Sequence, residues 1–253
     1  MRRIWVLLIG VTISLCAAEA TTLNVAAASD LRFVLPKIIA AWQAEVGPVS
    51  VRVAYGSSGR LYRQIQHGAP FDVFLSADET FPRRLQQQNI AGRTLYQYAR
   101  GRLVVYARSG DSKCLSLTRL VACEGRIVIA NPEHAPYGMR AREAMLALDV
   151  WAKLKPRLIF AENIAQAAQY VARGEVAYAV LARSLVSSPM LSDGRWQAVP
   201  ENSHQPLQQA GVVIGDAPPS QAVSFMQFLQ SRQAQTLFEK FGFQPIGASS
   251  GER

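Results

Sequence analysis

The chain of 253 residues is long enough to form one large domain or two small ones around a buried core. Its 49% hydrophobic and 18% charged residues fit a folded globular protein. The formal net charge of +9 comes from scattered basic residues, and no nucleic-acid-binding motif is present, so we expect a solvated basic surface and no nucleic-acid partner.

The N-terminus has the pattern of a secretory signal peptide. Two arginines precede an apolar run that ends at Leu15, and Ala18-Glu19-Ala20 follows with the small-x-small pattern of a cleavage site. We therefore predict a signal peptide over residues 1–20, cleaved after Ala20. Its apolar run is too short to span a bilayer, and no other segment approaches the required length. We expect a soluble protein exported to the periplasm of a bacterium.

Strand and helix patterns alternate along the rest of the chain. The predicted strands are residues 23–28, 49–55, 71–75, 103–107, 126–130, 158–160, 176–181 and 211–215. The predicted helices follow Ser29, Gly59, Asp78, Gly138 and Asn163, and two more cover residues 219–230 and 231–241. Ser29 and Asn163 are the expected N-caps of their helices. This alternation predicts an α/β fold with mostly parallel sheets.

Gly56-Ser57-Ser58-Gly59 joins a predicted strand to a predicted helix. Backbone N–H groups and hydroxyls gather there at the positive end of the helix dipole, which suits an anion. The spacing does not match a P-loop, because no Gly-Lys-Ser/Thr follows at the required distance. An ordinary loop, in which Ser57 or Ser58 caps the helix, is the alternative that these residues leave open.

Two cysteines remain in the predicted mature chain, Cys114 and Cys123, and both lie in one loop. In an oxidising compartment a local disulfide is favoured over two free thiols. A metal site is not expected, because no histidine lies nearby. We predict a structural bridge between the two residues.

Polar strand-to-helix loops recur at Ser29, Gly56–Gly59, Pro136–Gly138 and Asn163. In open α/β sheets, ligands bind beyond the carboxyl ends of strands. We therefore expect four helix N-termini to face one small site.

No catalytic pattern is recognisable in the sequence. His67, His134 and His204 lie outside any known nucleophile motif, and no zinc-binding pattern or carboxylate pair is identifiable. His134 lies in a proline-bracketed loop, where it either contacts a ligand or bonds to backbone. We expect a binding protein that is not an enzyme.

Five segments, in the same order along the mature chain, resemble the periplasmic molybdate-binding proteins of ABC importers, the ModA family. These segments are Ala26–Ser29, Gly56–Gly59, Gly68–Asp78, Asn131–Gly138 and Phe241–Phe243. The resemblance implies a two-lobed periplasmic binding protein fold of type II, with a mostly parallel sheet in each lobe and a two-strand hinge. It also implies a first lobe over residues 21–100 and 206–253 and a second lobe over residues 101–205.

The same resemblance implies which residues hold the oxyanion. Ser29 and Ser58 are the expected ligands from the first lobe, each offering a hydroxyl and a backbone N–H. Tyr137 and Ile164 are expected from the second lobe, and Ile164 offers only its N–H. Some family members use a tyrosine at the position of Ala182, whereas others use one in the Pro-Tyr-Gly loop. This chain matches the second arrangement, with the Tyr137 hydroxyl as a possible donor.

Asp30 departs from the pattern, because members of the second type can have an amide donor at this position. A carboxylate beside a dianion repels it unless the carboxylate is turned away or protonated. We expect Asp30 to lie in the first helical turn, where it complements the dipole and offers the ligand at most its backbone N–H.

The resemblance implies a solute-binding protein that captures molybdate or tungstate and delivers it to an integral membrane ABC permease with its ATPase. It implies no cofactor, no directly bound metal, and a monomer. Two alternatives remain open: a binding protein for another oxyanion such as phosphate or sulfate, and a sensory anion-binding protein. An envelope enzyme would need a general base beside the pocket.

Overall fold

The computed structural model describes residues 22–108 and 112–246. The predicted signal peptide lies outside these described residues. None of the helices within them combines the length and the apolar character needed to cross a membrane.

The described residues form ten strands and nine α-helices. The strands are β1 (Leu23–Ala28), β2 (Val51–Gly56), β3 (Val73–Ser76), β4 (Tyr96–Gly101), β5 (Leu103–Ala107), β6 (Ile127–Ala130), β7 (Leu158–Ala161), β8 (Tyr178–Ala182), β9 (Arg195–Ala198) and β10 (Leu207–Val213). The helices are α1 (Leu35–Val46), α2 (Ser58–Gln66), α3 (Thr80–Gln87), α4 (Pro136–Ala147), α5 (Trp151–Leu154), α6 (Ile164–Ala172), α7 (Arg183–Val186), α8 (Ser220–Phe228) and α9 (Arg232–Lys240).

The strands form two five-stranded sheets, in the orders β2-β1-β3-β10-β4 and β7-β6-β8-β5-β9. In each sheet, three strands are parallel: β1 with β2 and β3, and β6 with β7 and β8. The other pairings are antiparallel, through β10 in the first sheet and β5 in the second. The sheets are more antiparallel than expected, because β10 in the first sheet and β5 in the second run against all the other strands of their sheet.

The chain passes from the first sheet to the second between β4 and β5, and returns between β9 and β10. The two-lobed α/β architecture predicted from the sequence is therefore confirmed. The residue boundaries of the lobes, with a second lobe over 101–205, stay a prediction.

Strand β1 is buried along its length because helices cover both faces of the first sheet. Val25 and Ala27 pack into a cluster with side chains of α1, α8 and α9. Ala26, which points to the opposite face, packs with side chains of α2 and α3. This double cover explains why every residue of β1 except Asn24 is apolar, without the alternation of a half-exposed strand. It also fixes the position at which the chain leaves β1 for the cleft.

The prediction that Ser29 caps the first helix is wrong. Ser29–Leu31 form a 3₁₀ turn with no side-chain cap bond, and α1 begins only at Leu35. Pro36 occupies the second position of α1, where its missing N–H breaks no intrahelical bond. The Ser29 hydroxyl is therefore available for another partner. Asn163, in contrast, caps α6 as predicted, since its side chain accepts from the Gln166 N–H at 3.0 Å.

A disulfide joins Cys114 and Cys123 in the segment between β5 and β6. Cys114 packs into the apolar cluster around the second sheet, so the bridge lies in the second lobe. Neither cysteine lines the cavity between the lobes.

Candidate functional site

A cavity lies between the two lobes. Its lining residues are Ala28, Ser29, Asp30, Gly56, Ser57, Ser58 and Ala77 from the first lobe, and Ala135, Pro136, Tyr137 and Ile164 from the second. All five of the predicted site residues are in this lining: Ser29, Asp30, Ser58, Tyr137 and Ile164. The structure therefore brings together residues that are spread over more than half of the chain.

Each of these residues comes just after a strand and at the start of a helical turn. Ser29 follows β1, Ser58 is the first residue of α2, Tyr137 is the second of α4, and Ile164 is the first of α6. The carboxyl ends of neighbouring parallel strands meet at one edge of a sheet, and the cleft faces this edge in both lobes. Helix N-termini carry partial positive charge and N–H groups without partners inside the helix. The cavity wall is therefore suited to an anion.

The two predicted serine ligands are both buried and both accept a backbone hydrogen bond. The Ala77 N–H donates to Ser58 Oγ at 3.0 Å, and the Ala165 N–H donates to Ser29 Oγ at 3.3 Å. A hydroxyl that accepts from the backbone still has its own hydrogen to donate. Both serines are thus arranged as hydrogen-bond donors beside the cavity.

The cavity wall is poor in charge. Among the described residues that line it there is no lysine, arginine or histidine, and Asp30 is its single carboxylate. The part of the chain that the structure describes also holds no group of three or more histidine, cysteine, aspartate or glutamate residues able to bind a metal ion. Neutral donors, not cations or metal ligands, define the chemistry of this site.

Asp30, Tyr137 and Gln209 form a buried hydrogen-bonded group behind the cavity, which we name the Asp30 cluster. The Tyr137 hydroxyl donates to Asp30 Oδ2 at 2.9 Å, and the Gln209 side-chain amide donates to the same oxygen and to the Tyr137 hydroxyl. None of the three residues is more than 2% exposed. The cluster joins the lobes, since Asp30 belongs to the first and Tyr137 to the second.

Burial raises the pKa of Asp30 to about 6, although the hydrogen bonds from Gln209 and Tyr137 lower it. Burial, together with the charge of Asp30, holds the pKa of Tyr137 well above its usual range. Tyr137 is therefore a neutral donor whose hydrogen is directed to Asp30. This differs from the expectation that the Tyr137 hydroxyl donates to the ligand.

The role of Gln209 was not predicted from the sequence. The last strand was expected to begin at Gly211, but β10 begins at Leu207 and includes Gln209. A glutamine inside a strand that is otherwise mostly apolar is a signal that can be read from the sequence. Its partners cannot, because Asp30 and Tyr137 are far away along the chain.

A second group of contacts joins the lobes at the mouth of the cleft, and we name it the rim cluster: Ser57, Gly59, Arg60, His134 and Glu162. Ser57 Oγ lies 2.8 Å from His134 Nδ1, and the Gly59 N–H donates to the His134 backbone oxygen at 2.9 Å. Arg60 pairs with Glu162 at 3.5 Å. These contacts, with those of the Asp30 cluster, hold the two lobes in a closed arrangement.

His134 is neutral in this setting. Burial lowers its pKa, an effect that the charge of Glu162 partly offsets. A neutral imidazole with its hydrogen on Nε2 accepts at Nδ1 from the Ser57 hydroxyl. The His134 Nε2 atom is 3.6 Å from Glu162, which is too long for a hydrogen bond. His134 is therefore a partner of the loop that contains Ser57, and it does not itself line the cavity.

Comparison with known proteins agrees with this geometry. Residues 23–244 match the family model described as bacterial extracellular solute-binding protein. The molybdate-binding protein ModA of Azotobacter vinelandii is 31% identical over 94% of this chain and 96% of its own length. The protein of the same name from Rhodobacter capsulatus is 33% identical over 90% of each chain.

Solved structures show the same fold. The periplasmic molybdate-binding protein of Azotobacter vinelandii superposes with a TM-score of 0.81 at 28% identity, covering 87% of this chain and 98% of that chain. The sulfate-binding protein SubI from Mycobacterium tuberculosis superposes with a TM-score of 0.76 at 16% identity, covering 90% of this chain and 88% of that chain. At this lower identity the likeness extends to the fold alone.

Proposed function

Because this chain belongs to the family of bacterial extracellular solute-binding proteins, we propose that it captures molybdate, or the equally shaped tungstate, between its two lobes. It then delivers the anion to an ABC-type membrane permease with its ATPase. It acts in the periplasm as a monomer, after removal of its signal peptide, and its function is binding without catalysis. Ser29, Asp30, Ser58, Tyr137 and Ile164 surround the anion.

The observation that carries this proposal is the donor arrangement of the cavity. Ser29 and Ser58 each accept a backbone N–H and so keep a hydroxyl hydrogen for the ligand. Molybdate is a tetrahedral dianion without a proton at neutral pH, so all of its oxygens accept hydrogen bonds. N–H and O–H groups replace its hydration shell, and no side-chain cation is required. Two similar proteins are molybdate-binding proteins, which supports the same ligand for this chain.

The magnitudes are sufficient for tight binding. About six charge-assisted hydrogen bonds at roughly 1.5–3 kcal/mol each supply about 9–18 kcal/mol. A micromolar dissociation constant requires only about 8 kcal/mol. The surplus covers the cost of closing the lobes around the ion.

A thermal-unfolding panel tests the ligand class. We expect molybdate and tungstate to raise the melting temperature of the mature protein, because a ligand that binds only the folded state stabilises it. Sulfate is smaller, and hydrogen phosphate needs an acceptor for its proton, so both are expected to have little effect. A phosphate or sulfate response equal to that of molybdate would contradict the proposal.

One observation favours a second candidate, an envelope hydrolase. Ser57 lines the cavity, and its hydroxyl bonds to a neutral histidine, which is the pairing of a nucleophile with a base. The Glu162 carboxylate is too distant to orient the His134 ring. A fluorophosphonate probe separates the two functions, since it labels an activated serine. The binding function predicts no labelling of Ser57, whereas stoichiometric labelling would favour the hydrolase.

A further inference from the structure

Asp30 belongs to the wall of the cavity proposed to hold a dianion, and its carboxyl group is buried directly behind that wall. Asp30 lines the cavity and is 1% exposed. A carboxylate and a dianion that share a buried site repel each other strongly, because the effective dielectric constant there is low. Either the carboxylate charge is neutralised by a neighbour or the carboxyl group takes up a proton.

The hydrogen bonds of Asp30 leave room for that proton. Both side-chain donors, the Tyr137 hydroxyl and the Gln209 amide, bond to Oδ2. The other oxygen, Oδ1, is buried and receives no hydrogen bond from another described residue. An unpartnered buried carboxylate oxygen is costly, whereas a protonated one becomes a donor. With the hydrogen on Oδ1, Oδ2 keeps both of its present partners.

No neighbouring group neutralises the Asp30 charge. The titratable groups that face it are Tyr137 of α4 and Tyr98 of β4, and the charge of Asp30 raises the pKa of both hydroxyls. The residues of α6 that pack beside Asp30 carry no charge. Arg183 begins α7, but its guanidinium lies over the Trp196 ring, 4.2 Å from the centroid. Among the described residues, therefore, none forms an ion pair with Asp30.

We propose that Asp30 takes up one proton from solvent when the cavity takes up its dianion, so that the bound state contains a neutral carboxyl group. This inference rests on the proposed function, because it needs a dianion in the cavity. The protonation state of Asp30 then sets the specificity for the anion. A protonated Asp30 is a hydrogen-bond donor, which suits molybdate, whereas an ionised Asp30 is a hydrogen-bond acceptor, which suits hydrogen phosphate.

Proton uptake by Asp30 makes the affinity for the anion depend on pH in a defined direction. In the ligand-free protein, burial holds the pKa of Asp30 at about 6, and the anion raises this pKa further. Below about pH 6 the proton is already present, so affinity is independent of pH. Above that value each anion brings a proton, and the dissociation constant rises about tenfold per pH unit until the pKa of the complex is reached.

Calorimetric titration with molybdate measures the proton directly. At about pH 7.5, titrations in two buffers of different ionisation enthalpy are expected to give uptake of about one proton per anion. Asp30→Asn is expected to bind molybdate with no proton uptake and with a flat pH dependence. Asp149→Asn is the matched control. It removes one exposed carboxylate at a positive φ, where asparagine is tolerated, and should keep the uptake.

His134 is the rival source of the proton, since it is neutral and lies near the cleft. Asp78 is a second rival, because it is a buried carboxyl group whose pKa burial raises. His134→Asn and Asp78→Asn are both expected to keep the uptake, which leaves Asp30 as the source even if Asp30→Asn does not fold. Molybdate binding with no proton uptake by the wild-type protein would overturn this inference and leave the proposed function intact. Absence of any molybdate heat or thermal shift would instead overturn the proposed function, and this inference with it.

Discussion

The rim cluster and the Asp30 cluster both join the two lobes, but the rim cluster is partly exposed and the Asp30 cluster is fully buried. At the rim, the Arg60 and Glu162 side chains are 57% and 37% exposed. Behind the cavity, Asp30 and Gln209 are buried almost completely. Water can replace the exposed Arg60–Glu162 pair at little cost, whereas an unmade bond in the Asp30 cluster leaves a buried polar group without a partner. We infer that steric fit at the rim permits closure, and that the buried cluster stabilises the closed state.

The largest expected effect comes from Gly59, where the backbones of the two lobes are in contact. A Cβ atom at this position would lie 2.7 Å from the His134 backbone oxygen, across the cleft. Gly59→Ala is therefore expected to hold the lobes apart and to weaken molybdate binding by about a hundredfold, or roughly 3 kcal/mol. Calorimetry measures the affinity, and small-angle scattering reports whether the lobes still close.

Gly92→Ala is the matched control for Gly59. A Cβ there would meet its nearest neighbour, the Val213 backbone oxygen, at 3.7 Å, which is ordinary van der Waals contact. Its affinity should equal that of the wild-type protein. Wild-type affinity of Gly59→Ala would show that the closed contact at the rim is not needed for binding.

Asp30→Asn is expected to stabilise the ligand-free protein near neutral pH. Burial raises the pKa of Asp30 from 3.8 to about 6. The folded state thus holds its proton more tightly than the unfolded state, and wild-type stability falls as pH rises from about 4 to 6. Two pKa units correspond to roughly 3 kcal/mol, which is an upper bound for the gain in the variant above this window.

Denaturant unfolding at several pH values checks whether Asp30→Asn is more stable than the wild-type protein. The difference between Asp30→Asn and wild type should vanish below about pH 4 and reach its plateau above about pH 6. A variant that is less stable than wild type at neutral pH would show that the ionised carboxylate holds the Asp30 cluster together.

Ser57 and Ser58 are adjacent in sequence but have different roles, because Ser58 is a proposed ligand of the anion and Ser57 belongs to the rim cluster. Ser58→Ala removes a hydroxyl donor to the anion and is expected to weaken binding by roughly 1.5–3 kcal/mol, or about ten- to a hundredfold. Ser57→Ala removes a buried neutral hydrogen bond to His134 and is expected to weaken binding only about two- to tenfold, because such a bond contributes roughly 0.5–1.5 kcal/mol. Equal losses for the two variants would remove the distinction between a ligand and a rim residue.

The smallest effect is expected at Arg60. Its pair with Glu162 is exposed and 3.5 Å long. Arg60→Ala should change the free energy of molybdate binding by less than about 1 kcal/mol, and raised salt should reduce even this difference. Titrations at low and high ionic strength measure it. A loss of affinity comparable to that of Ser58→Ala would mean that electrostatic attraction at the rim, as well as its shape, stabilises the closed state.

Local patterns in the sequence predicted most of what positions the site. Strand-to-helix loops mark where Ser58 and Ile164 lie, because a strand end and a helix start are both visible in a short window. Strand β9 was not predicted, since all four of its residues are exposed and it lacks an apolar alternation. Strand β4 was also missed, because arginine, glutamine and glycine interrupt its aromatic residues.

The two clusters between the lobes could not be predicted from such patterns. Gln209 is 179 residues from Asp30, and His134 is 77 residues from Ser57. No short window contains both partners, and the contact between Ser57 and His134 also crosses from one lobe to the other. The resemblance to a known family predicted the residues around the cavity. It could not predict the partners of Asp30, which the structure identifies as Tyr137 and Gln209.

Anomalous diffraction from crystals grown with molybdate tests the central claim most directly, because the molybdenum signal locates the ion without reference to its ligands. We predict one strong anomalous peak in the cavity, with molybdate oxygens within hydrogen-bond distance of the Ser29 and Ser58 hydroxyls. A strong peak outside the cavity, or an empty cavity at saturating molybdate, would contradict the account.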